Sequence, residues 1–146
     1  MLFRSQIKSG ICRNKGTAKG ELVCSNLTTL LYLSGGEYFP DLSGKILLIE
    51  DVHERIHRID MMLQQLKQQP QFKELKGLIL GQFTDIGGDA EDGALEDCFA
   101  DFLQGVNIPV LQDFEFGHTK DRYVLPFGAE VMLDAEKCEL ITKISE

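Results

Sequence analysis

Two apolar runs of the same grammar set the strongest limit on what this chain can fold into. GKILLIED (44–51) and GLILGQF (77–83) each begin at a glycine, and the first is closed by two acids. That is the pattern of a short strand buried on both faces of a sheet. Between them Ile56, Ile59, Leu63 and Leu66 recur at helical spacing through ERIHRIDMMLQQLKQQ, with Pro70 just beyond, which predicts an amphipathic helix linking the two strands. A polar, Gly-rich loop, TDIGGDAEDG (84–93), then leads to a second helix with Leu95, Cys98, Phe99, Phe102 and Leu103 on one face. IPVL (108–111) reads as a further strand, followed by the loop QDFEFGHTKDR. AEVMLD and CELITKI read as two strands joined by a turn over Asp134 to Lys137. Nearer the start, Asn26 is placed to cap a helix over LTTLLYL, whose stripe is Leu27, Leu30 and Leu31. Strand, helix, strand, loop and helix is α/β order, ending in antiparallel strands. The expected fold class is α/β with mixed parallel and antiparallel strands.

The 146 residues, 43% of them hydrophobic, are enough for one domain with a real core and too few for two ordinary ones. A net charge of -8 with no Lys/Arg run excludes the footprint of a nucleic-acid or anionic-membrane binder. Cys12, Cys24, Cys98 and Cys138 lack any C-x-x-C spacing, which suits free thiols in a reducing, cytoplasmic compartment. No run approaches the roughly 18 apolar residues of a membrane span, and MLFRSQIKSG lacks the apolar core of a signal peptide. A soluble protein is expected.

One motif invites a metal. His53-Glu54-Arg55-Ile56-His57 fits H-E-x-x-H, in which two histidines one helical turn apart face a zinc ion and the glutamate activates its water. Arg55 places a cation inside the motif, where it would oppose a divalent ion. The nearest downstream third ligand, Glu74, lies beyond Pro70. The weighted reading is two exposed histidines at the start of an amphipathic helix, with no metal and no cofactor.

Five segments taken in order, GELVCSNLTTL, YFPDLSGKILLIEDV, HRIDMMLQQL, GLILGQFTD and FEFGHTKDRYVLPFGAEVML, resemble the C-terminal domain of the LD-carboxypeptidase family of serine peptidases. That family includes muramoyltetrapeptide carboxypeptidases and microcin C immunity proteins. The resemblance spans residues 16–146 and leaves 1–15 as a non-matching or poorly ordered N-terminal segment. Its most specific parts are the I-L-x-I-E-D strand end, the R-I-D-x-M-L helix, and the F-G-H loop followed by L-P-x-G. It implies a swivelling β/β/α architecture and a Ser-Glu-His triad split between two domains. Glu50 matches the family's glutamate and His118 its histidine. The physical logic is consistent, since a serine hydroxyl needs an imidazole to take its proton, and the imidazole needs a carboxylate on its other nitrogen.

The chain departs from the family in three places. Cys24-Ser25-Asn26-Leu27 stands where G-G-N-L is usual, which puts any φ > 0 conformation there in doubt and leaves Asn26 as a cap or substrate contact. Met61 replaces an Arg in R-I-D-R-M-L. None of Ser5, Ser9, Ser25, Ser34, Ser43 or Ser145 sits in a nucleophile turn, and no G-x-S-x-G occurs. The chain alone is therefore expected to be inactive, as a truncated reading frame or the half of a split enzyme whose partner is the missing nucleophile domain. With that partner, the resemblance implies release of the terminal D-Ala from a peptidoglycan-derived tetrapeptide. Peptidyl-adenylate cleavage, an inactive binding module and the zinc peptidase remain as alternatives. A face left uncovered also predicts exposed apolar surface and self-association, as in a homodimer.

Overall fold

The computed structural model of the protein describes residues 3–144. Its elements run β1 (Phe3–Lys8), β2 (Ile11–Asn14), β3 (Thr17–Asn26), α1 (Leu27–Tyr32), β4 (Ile46–Val52), α2 (Ile56–Lys67), β5 (Gly77–Thr84), α3 (Leu95–Leu103), β6 (Val110–Gln112), β7 (Glu130–Asp134) and β8 (Glu139–Ile144). Single 3-10 turns lie at Pro70–Glu74 and Ala90–Asp92. The strands form one sheet in the order β1-β8-β7-β3-β4-β5-β6-β2.

The ten-residue β3 divides this sheet into two regions. Its first half, Thr17 to Glu21, pairs antiparallel with β7; its second half, Leu22 to Asn26, pairs parallel with β4. The β4, β5 and β6 strands continue in parallel, whereas β7, β8 and β1 continue antiparallel. Gly20 marks the changeover, and a Cβ there would lie 2.6 Å from the Gly44 carbonyl oxygen, so no larger residue fits this crossing.

Strand alternation builds two cores. Leu47, Ile49, Leu78 and Leu80 project to one face, where Ile59, Leu63 and Leu66 of α2 and Phe99 and Phe102 of α3 cover them. Ile46, Leu48 and Ile79 project to the other, against Ile7, Val131, Leu133 and Leu140 of the antiparallel strands. The layers are therefore antiparallel strands, parallel strands and helices, a β/β/α arrangement that agrees with the expected mixed α/β class.

The family-unmatched start of the chain, where it is described, is built into the sheet. β1 pairs with β8, β2 pairs with β6, and Ile7 is buried in the strand-side core. Together they cover the two outer strands, whose free N–H and C=O groups would otherwise need partners. Their short, polar, weakly alternating sequences hid that role. Glu96 at the start of α3 holds this edge from the helical side. Its carboxylate accepts from Arg13 of β2 and, at 2.9 Å, from Nε2 of the buried Gln112 in β6.

Two predictions concern stability. Leu48 is fully buried between the parallel and antiparallel layers, so Leu48→Ala should cost about 2–5 kcal/mol in denaturant unfolding. The Gln112 and Arg13 hydrogen bonds hold the Glu96 carboxyl below its ordinary value of 4.5. A depressed carboxyl contributes its stability fully above that ordinary value and loses it as pH falls through the lower folded value. Thermal melts from about pH 6 down to about pH 3 should show Glu96→Gln with a shallower loss of stability than the parent.

Candidate active site

Glu50 and Asp51 end β4 in succession, so the strand aims them at opposite layers. Only 3% of Glu50 and 2% of Asp51 remain exposed, and a buried carboxylate is costly unless hydrogen bonds replace its water. Asp51 finds its donors on the helical side. Its Oδ2 accepts from the Thr28 N–H at 3.0 Å and the Thr28 hydroxyl at 2.7 Å, while Oδ1 accepts from Asn26 Nδ2 at 3.0 Å and the Val52 N–H at 2.8 Å. Asn26 Oδ1 in turn caps α1 by accepting from the Thr29 N–H at 2.9 Å. Asp51 thereby ties the first turn of α1 to the end of β4.

Glu50 faces the strand side and meets His118, with its Oε2 2.9 Å from Nδ1. The loop that brings His118 there lies along β5. The Phe114 N–H donates to the Leu80 carbonyl at 3.1 Å, the Gln82 N–H to the Phe116 carbonyl at 2.8 Å, and the Thr84 hydroxyl to the His118 carbonyl at 3.4 Å. Two glycines permit this approach. A Cβ on Gly81 would sit 2.6 Å from the Phe116 oxygen. Gly117 has φ 138°, and a Cβ there would come within 3.1 Å of both the Gln82 oxygen and Glu50 Oε2. The β4/β5 register also slips at this point, from Ile49 opposite Leu80 to Asp51 opposite Phe83, so β5 bulges beside Glu50.

A cleft of about 410 Å³ opens beyond the carboxyl ends of the parallel strands, where ligands of open α/β sheets bind. Cys24, Glu50, His118, Arg122, Tyr123 and Val124 are among its walls. The Glu50 side chain is nearly covered, whereas 56% of the His118 side chain is exposed. The imidazole therefore stands between carboxylate and solvent. Its Nε2 has no hydrogen bond among the described residues. Burial pushes the Cys24 thiol above its ordinary value.

Asn26 lies opposite Glu50 in the β3/β4 register, but both ends of its amide are engaged by Asp51 and Thr29. Cys24 and Ser25 continue β3 as extended strand, without the positive φ that glycines at their positions could signal. Met61 is 67% exposed on α2, in a separate groove shared with Tyr32, His57 and Gln65 that contains neither Glu50 nor His118.

The H-E-x-x-H letters do not share a helix. α2 begins at Ile56 behind the extended N-cap Arg55, and His53 precedes it with a left-handed φ of 57°. His53 Nδ1 turns to Asp85 and His57 Nδ1 to Asp92, each at 3.6 Å, while Glu54 accepts from Arg58 Nε at 2.9 Å. Glu74 is exposed at the end of the Pro70 turn. Among the described residues no group of three His, Cys, Asp or Glu is placed to hold a metal ion. No helix among them is long and apolar enough to cross a membrane.

Sequence reading passed over the hydrogen-bonding role of Asp51, the clearance at Gly81 and the place of Arg122 in the cleft wall. The E-D doublet was a usable signal for Asp51, because consecutive strand residues point to opposite faces. The other two become visible only when the loop is seen against β5.

Comparison with known proteins converges on one family. Residues 19–133 match the model of the LD-carboxypeptidase C-terminal domain. The chain is 28% identical over 127 residues to the murein tetrapeptide carboxypeptidase of Pseudomonas aeruginosa, covering 85% of this chain and 41% of that protein. It is 31% identical over 120 residues to the microcin C7 self-immunity protein MccF of Escherichia coli, covering 82% of this chain and 35% of that protein. The crystal structure of muramoyltetrapeptide carboxypeptidase from Oxalobacter formigenes superposes with a TM-score of 0.84 at 30% identity, over 99% of this chain and 50% of that one. The chain spans about two fifths of the length of the curated relatives it matches. With the family's domain model matched across the parallel strands, the Glu50 strand end and the His118 loop, this chain belongs to the LD-carboxypeptidase family as its C-terminal domain.

Proposed function

We propose that this domain supplies the acid–base half of a serine carboxypeptidase. His118 is the general base and then the general acid, Glu50 is its orienting carboxylate, and a nucleophile domain brings the serine. The carrying observation is the 2.9 Å contact between Glu50 Oε2 and His118 Nδ1 at the back of an open cleft. With the carboxylate accepting the Nδ1 proton, Nε2 is left as the acceptor of a half-exposed ring. A serine hydroxyl on a second domain would pass its proton to Nε2 while attacking the scissile carbonyl. The same proton would then go to the departing amine, and Glu50 would steady the imidazolium between the two steps. The rim beside the cleft suits a covering domain, since Val124 is 95% and Phe127 63% exposed.

The substrate we propose is a peptidoglycan-derived tetrapeptide that loses its terminal D-Ala, in keeping with the murein tetrapeptide carboxypeptidase among the relatives. A peptidyl-adenylate is the second reading, favoured by the likeness to MccF, whose structure with glutamyl sulfamoyl guanosine superposes with a TM-score of 0.79 at 26% identity.

Combining this chain with a nucleophile domain and offering both substrates tests the reading. The tetrapeptide should be cut faster, and His118→Ala or Glu50→Gln should each lower kcat at least about a hundredfold with the fold intact by circular dichroism. Full activity in His118→Ala would exclude the assignment, and inactivity of every combination would favour a binding module. A second prediction concerns the loop. Gly81→Val should displace Phe116 from β5 and lower kcat by about tenfold or more, because misplacing a catalytic group by an ångström is costly. Nuclear magnetic resonance would show the His118 ring shifted while the core methyl signals stay in place.

A further inference from the structure

We infer that Arg122 is the carboxylate-recognition residue of this site, the group that reads the free C-terminus of a peptide whose last bond lies before His118. The inference rests on the proposed peptidase reading of the cleft and adds to it the feature that makes an exopeptidase: a fixed positive charge for the terminal carboxylate.

Three observations carry it. The first is position, because Arg122 walls the same cleft as Glu50 and His118. The second is availability. Arg13, Arg55 and Arg58 each pair with a carboxylate, namely Glu96, Asp89 and Glu54. Arg122 has no carboxylate within 4.0 Å among the described residues, although Asp121 is its neighbour in sequence and the chain carries a net charge of -8. Its guanidinium makes one hydrogen bond there, from Nη1 to the Thr119 carbonyl at 3.3 Å, leaving most of its donors unused. The third is the support of the loop. The Tyr123 N–H donates to the Glu115 carbonyl at 3.1 Å and the Thr119 hydroxyl to the Asp121 carbonyl at 2.9 Å, fixing the backbone on both sides of Arg122.

A guanidinium presents two parallel N–H donors that match the two oxygens of a carboxylate, which a continued peptide chain lacks. Tyr123 and Val124 supply apolar surface next to it, suited to a small terminal side chain such as the methyl of alanine.

The test is a titration of the full chain with acetyl-L-lysyl-D-alanine and with its C-terminal amide, followed by the His118 ring and arginine side-chain signals in nuclear magnetic resonance. The acid should bind about tenfold more tightly than the amide, as expected of a partly solvated charge-assisted pair. Arg122→Gln should abolish that preference, and Arg122→Lys should restore part of it, with the backbone spectrum unchanged outside the loop. If both ligands shift His118 equally in the parent, or if Arg122→Gln keeps the preference, the role of Arg122 is overturned while the cleft stands as the peptide site. If neither ligand moves His118, the peptide reading of the cleft falls, and the role of Arg122 falls with it.

Discussion

Two neighbouring carboxylates are buried where β4 ends, and each must be satisfied from a different layer of the domain. Asp51 takes its hydrogen bonds from Asn26, Thr28 and the Val52 N–H, and so fixes the start of α1. Glu50 takes its contact from His118, carried on a loop that leaves β6 and runs back along β5. Removing His118 would leave Glu50 buried without its side-chain contact, which costs more than a lost surface contact. The doublet thus couples the helical layer and the His118 loop to one strand end. Strand, cap and loop form a single positioning device.

The same economy explains the glycines around the site. A loop can lie along β5 only if the strand offers no side chain beneath it, and Gly81 meets that condition by leaving room for the Phe116 carbonyl. Gly117 meets it from the loop side, with a left-handed φ and no Cβ to strike Glu50. The adjacent bulge in β5 lets the hydrogen-bonded ladder resume after this crossing, with Asp51 opposite Phe83. Backbone geometry therefore sets the distance between Glu50 and His118 before side-chain rotamers refine it.

Much of this was legible in the sequence because it follows from local rules. The runs at 44–51 and 77–83 became parallel neighbours, Asn26 caps α1 as its position before an apolar stripe suggests, and the turn over Asp134 to Lys137 joins two antiparallel strands. The parts that were not legible depend on distant pairing. β1 and β2 carry little apolar pattern, and their register is set by β8 and β6 at the far end of the chain. β3 serves two sheet halves in opposite senses, so its residues follow no single alternation. The H-E-x-x-H letters illustrate a related point. A motif written for one helix has no such geometry when the helix begins three residues late, and His53 closes the β4 end in a left-handed turn instead. The proximity of Glu50 and His118, 68 residues apart, follows from the fold and from no local pattern.

Cys24 shows how a departure from a family pattern can be absorbed structurally and still alter a site. In place of the usual glycine it sits in extended β3, where a side chain costs no backbone strain. Its thiol forms part of the cleft wall that also holds Glu50 and His118. A cysteine so placed invites comparison with a nucleophile, but thiol chemistry requires the thiolate, and burial pushes this thiol above its ordinary value. A partly buried sulfur packed against the strand-side core behaves as a small apolar group. Cys24 thus lines the cleft as an apolar group and is poorly suited to act as its nucleophile. The chemistry proposed for this domain still needs a hydroxyl from another body, and the shape of the pocket that receives it is partly set by this sulfur.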